Sequence, residues 1–122
     1  MAHILLVDDD DLFRNMLGIT LGKLGHTVVP ARDGREALRL FRVTSVELVL
    51  TDLVMPEKEG IETIRELRAL KPDVKIVAMT GGNPSDARDY LKMASLMGAA
   101  RTLNKPFSHD ELTEAIAAAL GG

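Results

Sequence analysis

The spacing of apolar residues changes repeatedly along the chain. Five short runs are predicted as strands: HILLV, TVVPA, ELVLT, VKIVAM and ARTLN. After each run, apolar residues recur at three- and four-residue spacing, which is typical of amphipathic helices. Strands that alternate with helices in this way form βαβ units on a parallel sheet. The sequence therefore predicts one α/β domain over residues 1–122, with five strands and five helices.

Helix boundaries follow from capping residues and helix breakers. Ser108 and Glu111 form a capping box at the start of the fifth helix, while Gly25 and Pro72 end the first and the third. The inward-facing residues are Phe13, Met16, Leu17, Leu21 and Leu24 in the first helix; Ala37, Leu38 and Phe41 in the second; Ile61, Ile64, Leu67 and Leu70 in the third; Ala87, Leu91, Ala94 and Met97 in the fourth, which begins near Ser85; and Leu112, Ile116 and Leu120 in the fifth. The methionines interpreted as core and gap-filling residues are Met16, Met55, Met79, Met93 and Met97.

The two outer strands of the sheet are also predictable. Pro30 lies inside TVVPA and has no amide hydrogen to donate to a ladder, so the second strand is predicted at an edge. ARTLN is the most polar strand, which places it at the other edge. Both edges agree with the strand order 2-1-3-4-5 of a doubly wound sheet, which carries helices on both faces.

Composition excludes several classes of protein. Hydrophobic residues make up 46% of the chain and charged residues 27%, as in ordinary globular domains. The net charge of −3 gives no sign of a nucleic-acid-binding surface. No apolar run approaches the roughly 20 residues that span a bilayer, and the N-terminus lacks a secretory signal. The chain has no cysteine, which excludes disulfides. Together, these features lead us to expect a cytoplasmic protein without membrane insertion or direct nucleic-acid contact.

Polar residues stand at the ends of four of the predicted strands. They are Asp8 and Asp9 after HILLV, Asp52 after ELVLT, Thr80 after VKIVAM, and Lys105 after ARTLN. Because ligands of open α/β sheets bind outside the carboxyl ends of the strands, we expect these side chains to meet at one rim. Carboxylates about 4 Å apart repel by roughly 4 kcal/mol per pair at an effective dielectric near 20, so three together need a cation. Mg²⁺ prefers such oxygen ligands.

The same residues suit phosphoryl transfer. Asp52 can act as a carboxylate nucleophile toward phosphorus, with Thr80 and Lys105 as donors to the phosphoryl oxygens. The metal and the lysine would neutralise the transferred charge, so no general base is required. Taken singly, each residue has a simpler interpretation: the acidic run 8–11 can cap the first helix, and the others can be turn, loop or solvated residues. Their joint placement at successive strand ends favours the functional interpretation.

Four motifs then resemble a known family. LLVDDD, LTDLVMPEKEG, AMTGG and LNKPF, in this order and spacing, look like the receiver domain of bacterial two-component response regulators. The resemblance covers nearly the whole chain and implies a flavodoxin-like (βα)5 fold. It implies that Asp52 is the phospho-acceptor and that Thr80 and Lys105 contact the phosphoryl group. It also implies a cis peptide bond between Lys105 and Pro106, which the rules of backbone geometry permit.

The resemblance further implies a metal site and partners. Mg²⁺ would be bound by Asp9, Asp52 and the backbone carbonyl of Val54, with Asp8 holding the ion through water. The phosphoryl donor would be a histidine kinase or a phosphotransfer protein, and the downstream effector is not specified. The domain is expected to be a monomer or a phosphorylation-dependent dimer, and not an enzyme in its own right.

One position departs from the family pattern. Receivers often carry an aromatic residue three positions before the lysine, and here that position is Thr102. We therefore expect the loop over residues 81–85 and the fourth helix to transmit the signal, toward a surface that the fourth helix forms with the fifth strand and the fifth helix. No output domain follows Leu120, which predicts either a stand-alone regulator or a segment cut from a longer chain.

Three alternative functions fit parts of this pattern. A haloacid-dehalogenase-like phosphatase carries its nucleophile after the first strand, where Asp8-x-Asp10 would stand, but this leaves Asp52 unexplained. A flavodoxin would share the fold, but four consecutive aspartates would repel the flavin phosphate. A receiver-like adaptor that is never phosphorylated is disfavoured by the intact pocket.

Overall fold

Strands and helices alternate as predicted. The computed structural model of the protein describes residues 2–53, 60–81, 89 and 92–121. The strands are β1 (His3–Val7), β2 (Thr27–Ala31), β3 (Leu48–Asp52), β4 (Lys75–Thr80) and β5 (Arg101–Asn104). The helices are α1 (Asp11–Lys23), α2 (Gly34–Val43), α3 (Gly60–Leu70), α4, described over residues 92–96, and α5 (His109–Gly121).

All five strands lie in one parallel sheet in the order β2-β1-β3-β4-β5. The edge strand β2 carries Pro30, which is paired in register with Leu6 of β1. The other edge strand is β5. The predicted strand order and both predicted edges are therefore confirmed. Because the strands are parallel, their carboxyl ends meet at the same rim of the sheet.

Helices cover both faces of the sheet because the side chains of a strand alternate between the two faces. Leu5 and Val7 of β1 pack with residues of α2 and α3, in a core that also contains Ala94 of α4. Ile4 and Leu6 face the other side and pack with residues of α1 and α5. These four side chains of β1 are fully buried, so the hydrophobic effect holds β1 between two helical layers.

Two of the methionines that were predicted as core residues are exposed. Leu17 of α1 is buried, but the side chain of Met16 is 59% exposed. Met93 of α4 is 48% exposed, although the next residue, Ala94, is buried. Consecutive residues are rotated by about 100° around a helix, so a residue beside a buried one can lie outside the inward face. Met79, in contrast, lies in the core as predicted.

The helix termini follow the capping signals. The carboxylate of Asp33 accepts a hydrogen bond from the backbone N–H of Glu36 at 2.8 Å, at the start of α2. At the start of α5, the backbone N–H of Glu111 donates to Ser108 Oγ at 3.0 Å, and the N–H of Ser108 donates to Glu111 Oε1 at 2.9 Å. This confirms the capping box. Gly25, just after α1, has a φ of +95°, as suits the residue that ends a helix.

Some predicted residues lie outside the described ranges. They are Val54, Met55, Ser85, Ala87 and Leu91. Of the inward residues predicted for α3, the last, Leu70, is 45% exposed because the helix ends there. Among the residues that the structure describes, no helix is both long and apolar enough to cross a membrane.

Candidate functional site

Four strand ends bring the predicted residues to one rim of the sheet. Asp8 directly follows β1, Asp52 closes β3, Thr80 closes β4, and Lys105 directly follows β5. In the pairing of β3 with β4, Asp52 lies opposite Met79, so Thr80 is one residue nearer to the rim. The polar residues that the strand ends indicated in the sequence are therefore neighbours in the fold.

Asp8, Asp9 and Asp52 form the acidic part of the site. One carboxylate oxygen from each lies within 4.8 Å of those of the other two. Asp8 and Asp52 are buried, whereas Asp9 is exposed. Mg²⁺ in proteins is held by one or two carboxylates together with waters and phosphate oxygens. Three converging carboxylates, one of them open to solvent, fit such an ion.

Lys105 connects two of these carboxylates. Its Nζ donates hydrogen bonds to Asp8 Oδ2 at 2.6 Å and to Asp52 Oδ2 at 2.9 Å. Its backbone N–H donates to the carbonyl oxygen of Thr80 at 2.6 Å, which anchors the start of the side chain to β4. The Lys105–Pro106 peptide bond is cis, as the family resemblance implied. The lysine is therefore held at both ends.

The position of Asp52 depends on the close approach of α3. The backbone N–H of Gly60 donates to the carbonyl oxygen of Leu53 at 2.7 Å. A Cβ on Gly60 would lie 2.3 Å from the carbonyl oxygen of Asp52 and 2.3 Å from Cα of Leu53. Both distances are too short for any side chain, so glycine is required for the helix to begin against the backbone that carries Asp52.

Thr80 and Gly81 form the wall of the site on the side of β4. The side chain of Thr80 is buried, and its hydroxyl lies 3.5 Å from the carbonyl oxygen of Gly81. A Cβ on Gly81 would lie 3.3 Å from Cβ of Lys105, so the glycine packs against the stem of the lysine. The hydroxyl and the ammonium are thus supplied by adjacent strands, which is where a phosphoryl group would need its donors.

Two groups in the site have shifted pKa values. Burial raises the pKa of the Asp8 carboxyl, and this effect outweighs the hydrogen bonds from Lys105 and from the backbone N–H of Asp10. Burial alone would lower the pKa of Lys105, but its bonds to Asp8 and Asp52 and their negative charges raise that pKa overall. The lysine therefore stays protonated, and ionised Asp8 depends on a nearby cation.

Residues of α1 contribute contacts that strand ends could not indicate. Arg14 Nη1 donates to the backbone carbonyl of Asp8 at 2.7 Å. The backbone N–H of Asp10 donates to Asp8 Oδ1 at 2.9 Å, and the carboxylate of Asp10 caps α1 by accepting from the N–H of Phe13 at 3.1 Å. Such a cap was one interpretation of the acidic run. Phe13 was predicted only as a core residue, but its ring centroid lies 4.1 Å from Nζ of Lys105.

Comparison with known proteins decides the family. The family model for the response regulator receiver domain matches residues 4–117, nearly the whole chain. The chain belongs to this family. This receiver domain therefore has a phosphoryl-accepting role in two-component signalling, which agrees with the cluster of carboxylates at its rim.

Individual relatives support the assignment. The receiver domain is similar to the transcriptional regulatory protein GlrR of Escherichia coli K12, with 37% identity over 120 residues that cover 98% of this chain and 26% of GlrR. A receiver domain protein from Clostridium thermocellum has a TM-score of 0.91 at 29% identity, covering 99% of this chain and 95% of that one. TrrA of Thermotoga maritima, solved in complex with Mg²⁺-BeF, has a TM-score of 0.84 at 32% identity, covering 98% and 100%. The chain thus spans about a quarter of GlrR and nearly all of the two solved receivers.

Replacing Lys105 by methionine is expected to destabilise the metal-free receiver domain. The variant keeps most of the aliphatic stem but leaves the buried carboxylates of Asp8 and Asp52 without their ammonium. Breaking such a pair from one side costs about 2–4 kcal/mol in the free energy of unfolding, given that the lysine is partly exposed. Urea unfolding at neutral pH measures this loss.

The pH range of that effect follows from the raised pKa of Lys105. Its contribution is complete below the unfolded value of 10.5 and is lost as the pH rises through the higher folded value, so the loss should be constant between neutral pH and pH 9. Lys71→Met, at an exposed lysine, is the control. Saturating Mg²⁺ should recover part of the loss. A loss no larger than that of the control would contradict the role of Lys105 as a counter-ion.

Proposed function

We propose that this receiver domain accepts a phosphoryl group on Asp52 with the help of Mg²⁺. The observation that carries the proposal is the position of Lys105, which hydrogen-bonds to Asp8 and Asp52 inside a cluster of three carboxylates. An isolated carboxylate would repel an incoming phosphoryl group, and an ammonium and a divalent cation beside it remove that repulsion. The donor is the phosphohistidine of a histidine kinase or of a phosphotransfer protein.

The proposed metal ligands are the three carboxylates together with one backbone oxygen. Asp9 and Asp52 would bind Mg²⁺ directly, and Asp8 would hold it through water. The remaining predicted ligand, the backbone carbonyl of Val54, lies outside the described residues. When bound, the ion neutralises charge on the carboxylates and on the phosphoryl oxygens. The complex of TrrA with Mg²⁺-BeF supports the same choice of metal for this similar chain.

The proposed reaction transfers the phosphoryl group from a histidine nitrogen to Asp52. An oxygen of Asp52 attacks the phosphorus, and as the new O–P bond forms, the N–P bond of the phosphohistidine breaks. The bonding electrons pass to the imidazole nitrogen, which takes a proton from solvent. Lys105 and the hydroxyl of Thr80 donate hydrogen bonds to phosphoryl oxygens as the charge moves onto Asp52. A carboxylate nucleophile has no proton to lose on attack, so the reaction needs no general base.

The signal is proposed to leave through α4, β5 and α5. Thr102 of β5 pairs in register with Ala78, at the position where many receivers carry an aromatic ring, so a large ring cannot transmit the change. Instead, Thr80 and Gly81 would move toward the phosphoryl group and shift α4, whose Leu96 is 79% exposed and available to a partner. The partner is a downstream effector in the cytoplasm, or a second copy of the phosphorylated domain.

Amide exchange tests this route. Exchange measured with and without beryllofluoride and Mg²⁺ is expected to differ most over residues 81–97, because that segment follows Thr80 directly. The sheet core serves as the internal reference. A change confined to α1 and α2 would contradict the proposed route while leaving the acceptor unaffected.

Chemical trapping tests the acceptor itself. After incubation with acetyl phosphate and Mg²⁺, the domain is expected to carry one acid-labile phosphate. Borohydride reduces an aspartyl phosphate to homoserine, which tandem mass spectrometry should locate at position 52. Homoserine at Asp8 or Asp10, with continuous release of phosphate, would instead support the phosphatase alternative. An unmodified chain would support the adaptor. Phosphotransfer from candidate histidine kinases would then identify the natural donor.

A further inference from the structure

Phe13, in the first turn of α1, forms the aromatic wall of the site. Its ring centroid lies 4.1 Å from Nζ of Lys105, a distance at which a cation is attracted to the face of a ring. The ring is half-buried, and the side chain of Lys105 is only 18% exposed. Because little water reaches the ammonium, the attraction is stronger than it would be on an open surface.

The ring completes the surroundings of the ammonium. A lysine ammonium has three hydrogens to donate, and two of its contacts are the hydrogen bonds to Asp8 Oδ2 and Asp52 Oδ2. The face of the Phe13 ring is a third favourable neighbour, and it needs no acceptor oxygen. An aliphatic side chain could fill the same volume, but it has no negative face to attract the cation.

Two contacts fix the position of the ring. The edge of one ring meets the face of the other between Phe13 and Phe107, with centroids 6.0 Å apart and planes at 89°. The backbone N–H of Phe13 donates to the carboxylate of the cap residue Asp10, whose own N–H donates to Asp8 Oδ1. The acidic loop that supplies the carboxylates and the helix turn that supplies the ring therefore form one hydrogen-bonded unit.

We propose that Phe13 is a positioning residue for phosphoryl transfer, because the face of its ring holds the Lys105 ammonium beside Asp52, where it meets the incoming phosphoryl oxygens. This inference rests on the proposed role of Lys105 in accepting phosphate. The proposed role of the ring is to act through the lysine, and not as a ligand of the metal or of the phosphoryl group. Its effect is therefore expected on the rate of phosphorylation at saturating Mg²⁺, and not on the affinity for Mg²⁺.

Stepwise fluorination of the ring is the sharpest test. Mono-, di- and trifluorophenylalanine, placed at position 13 by codon suppression, keep the shape of the ring and weaken its negative face in steps. The rate of labelling by acetyl phosphate is expected to fall at each step, to a total of about two- to thirtyfold. Phe13→Leu should show a similar loss, and Phe13→Tyr, which keeps the ring face, should restore most of the rate.

Phe41 provides the matched control. It is also partly buried, but it packs in the core on the other face of the sheet, away from Phe107 and the lysine. The same fluorinated series at position 41 should leave the rate unchanged. If fluorination at position 13 left the rate of Asp52 labelling unchanged, the inference would be overturned and the proposed function would stand. Equal losses in rate and in Mg²⁺ affinity would overturn it too, because the ring would then act on the metal site.

A double-mutant cycle gives a readout that does not depend on phosphorylation. Phe13→Leu, Lys105→Met and the double variant are compared by urea unfolding without metal. The two side chains are expected to couple by about two- to thirtyfold in the unfolding equilibrium constant. If the wild-type domain took up no phosphate, the proposed function would fail while this coupling could still be measured. Additive losses in the cycle would show that the ring does not hold the lysine.

Discussion

Asp52→Asn is expected to abolish phosphate incorporation from acetyl phosphate, with a drop in rate of at least about a hundredfold. The amide has nearly the size of the carboxylate and keeps an oxygen that can accept from Lys105, so the fold should persist. It lacks the negative charge on which the proposed roles of Asp52 as nucleophile and metal ligand depend. Incorporation is measured by mass spectrometry of the intact domain, and folding by circular dichroism and melting temperature.

Asp73→Asn is the matched control for that variant. Asp73 is exposed in the connection before β4, and the same change of charge there should leave the rate within about twofold of wild type. Labelling of Asp52→Asn at the wild-type rate would redirect the search for the acceptor to Asp8 or Asp10, and with it revive the phosphatase alternative.

Asp9→Ala is expected to weaken Mg²⁺ binding by at least about tenfold, a change of about 1.4 kcal/mol, and to block phosphorylation at ordinary metal concentrations. Asp9 supplies one of the three carboxylate oxygens that converge at the rim, and it is the exposed one. Because the side chain of Asp9 is exposed, its removal should change the free energy of unfolding only slightly. Titration calorimetry measures the affinity, and raising the Mg²⁺ concentration should partly restore the labelling of Asp52.

Asp11→Ala removes a charge from the same acidic run without touching the cluster. The side chain of Asp11 is 81% exposed and pairs with Arg14 at 2.6 Å, and an ion pair with one partner open to water contributes little to stability. Its Mg²⁺ affinity is expected to remain close to that of the wild type. Equal weakening by Asp9→Ala and Asp11→Ala would mean that the metal responds to the total negative charge and not to ligands at specific positions.

The sheet could be predicted from the sequence because a few residues have strong backbone consequences. Pro30 cannot donate to a ladder, and it lies on an edge strand. The inward faces of α1 and α4 were less predictable. Met16 and Met93 are apolar, but each lies one residue before a buried neighbour and turns outward. Hydrophobicity alone does not distinguish the centre of a buried stripe from its margin.

Some features of the site could likewise be predicted from the sequence, and others could not. Strand ends indicated which polar residues would meet, since parallel strands bring their carboxyl ends to one rim. The contact of Phe13 with Lys105 could not be found in this way. It joins a helix turn to a distant strand end, and it depends on the rotamers of two side chains. Spacing along the chain carries no information on either, so Phe13 looked like an ordinary apolar position of α1.

The hydrogen bonds of Lys105 make it a tethered counter-ion. A dissolved cation would diffuse away when Mg²⁺ arrived, whereas this ammonium stays within reach because its backbone is fastened to Thr80. Under the proposed function, Lys105 is positively charged both before and after phosphorylation. Its ammonium donates to Asp8 and Asp52 in the unphosphorylated domain and to the phosphoryl oxygens afterwards. The hydrogen-bond partners of Lys105 would thus distinguish the phosphorylated domain from the unphosphorylated one.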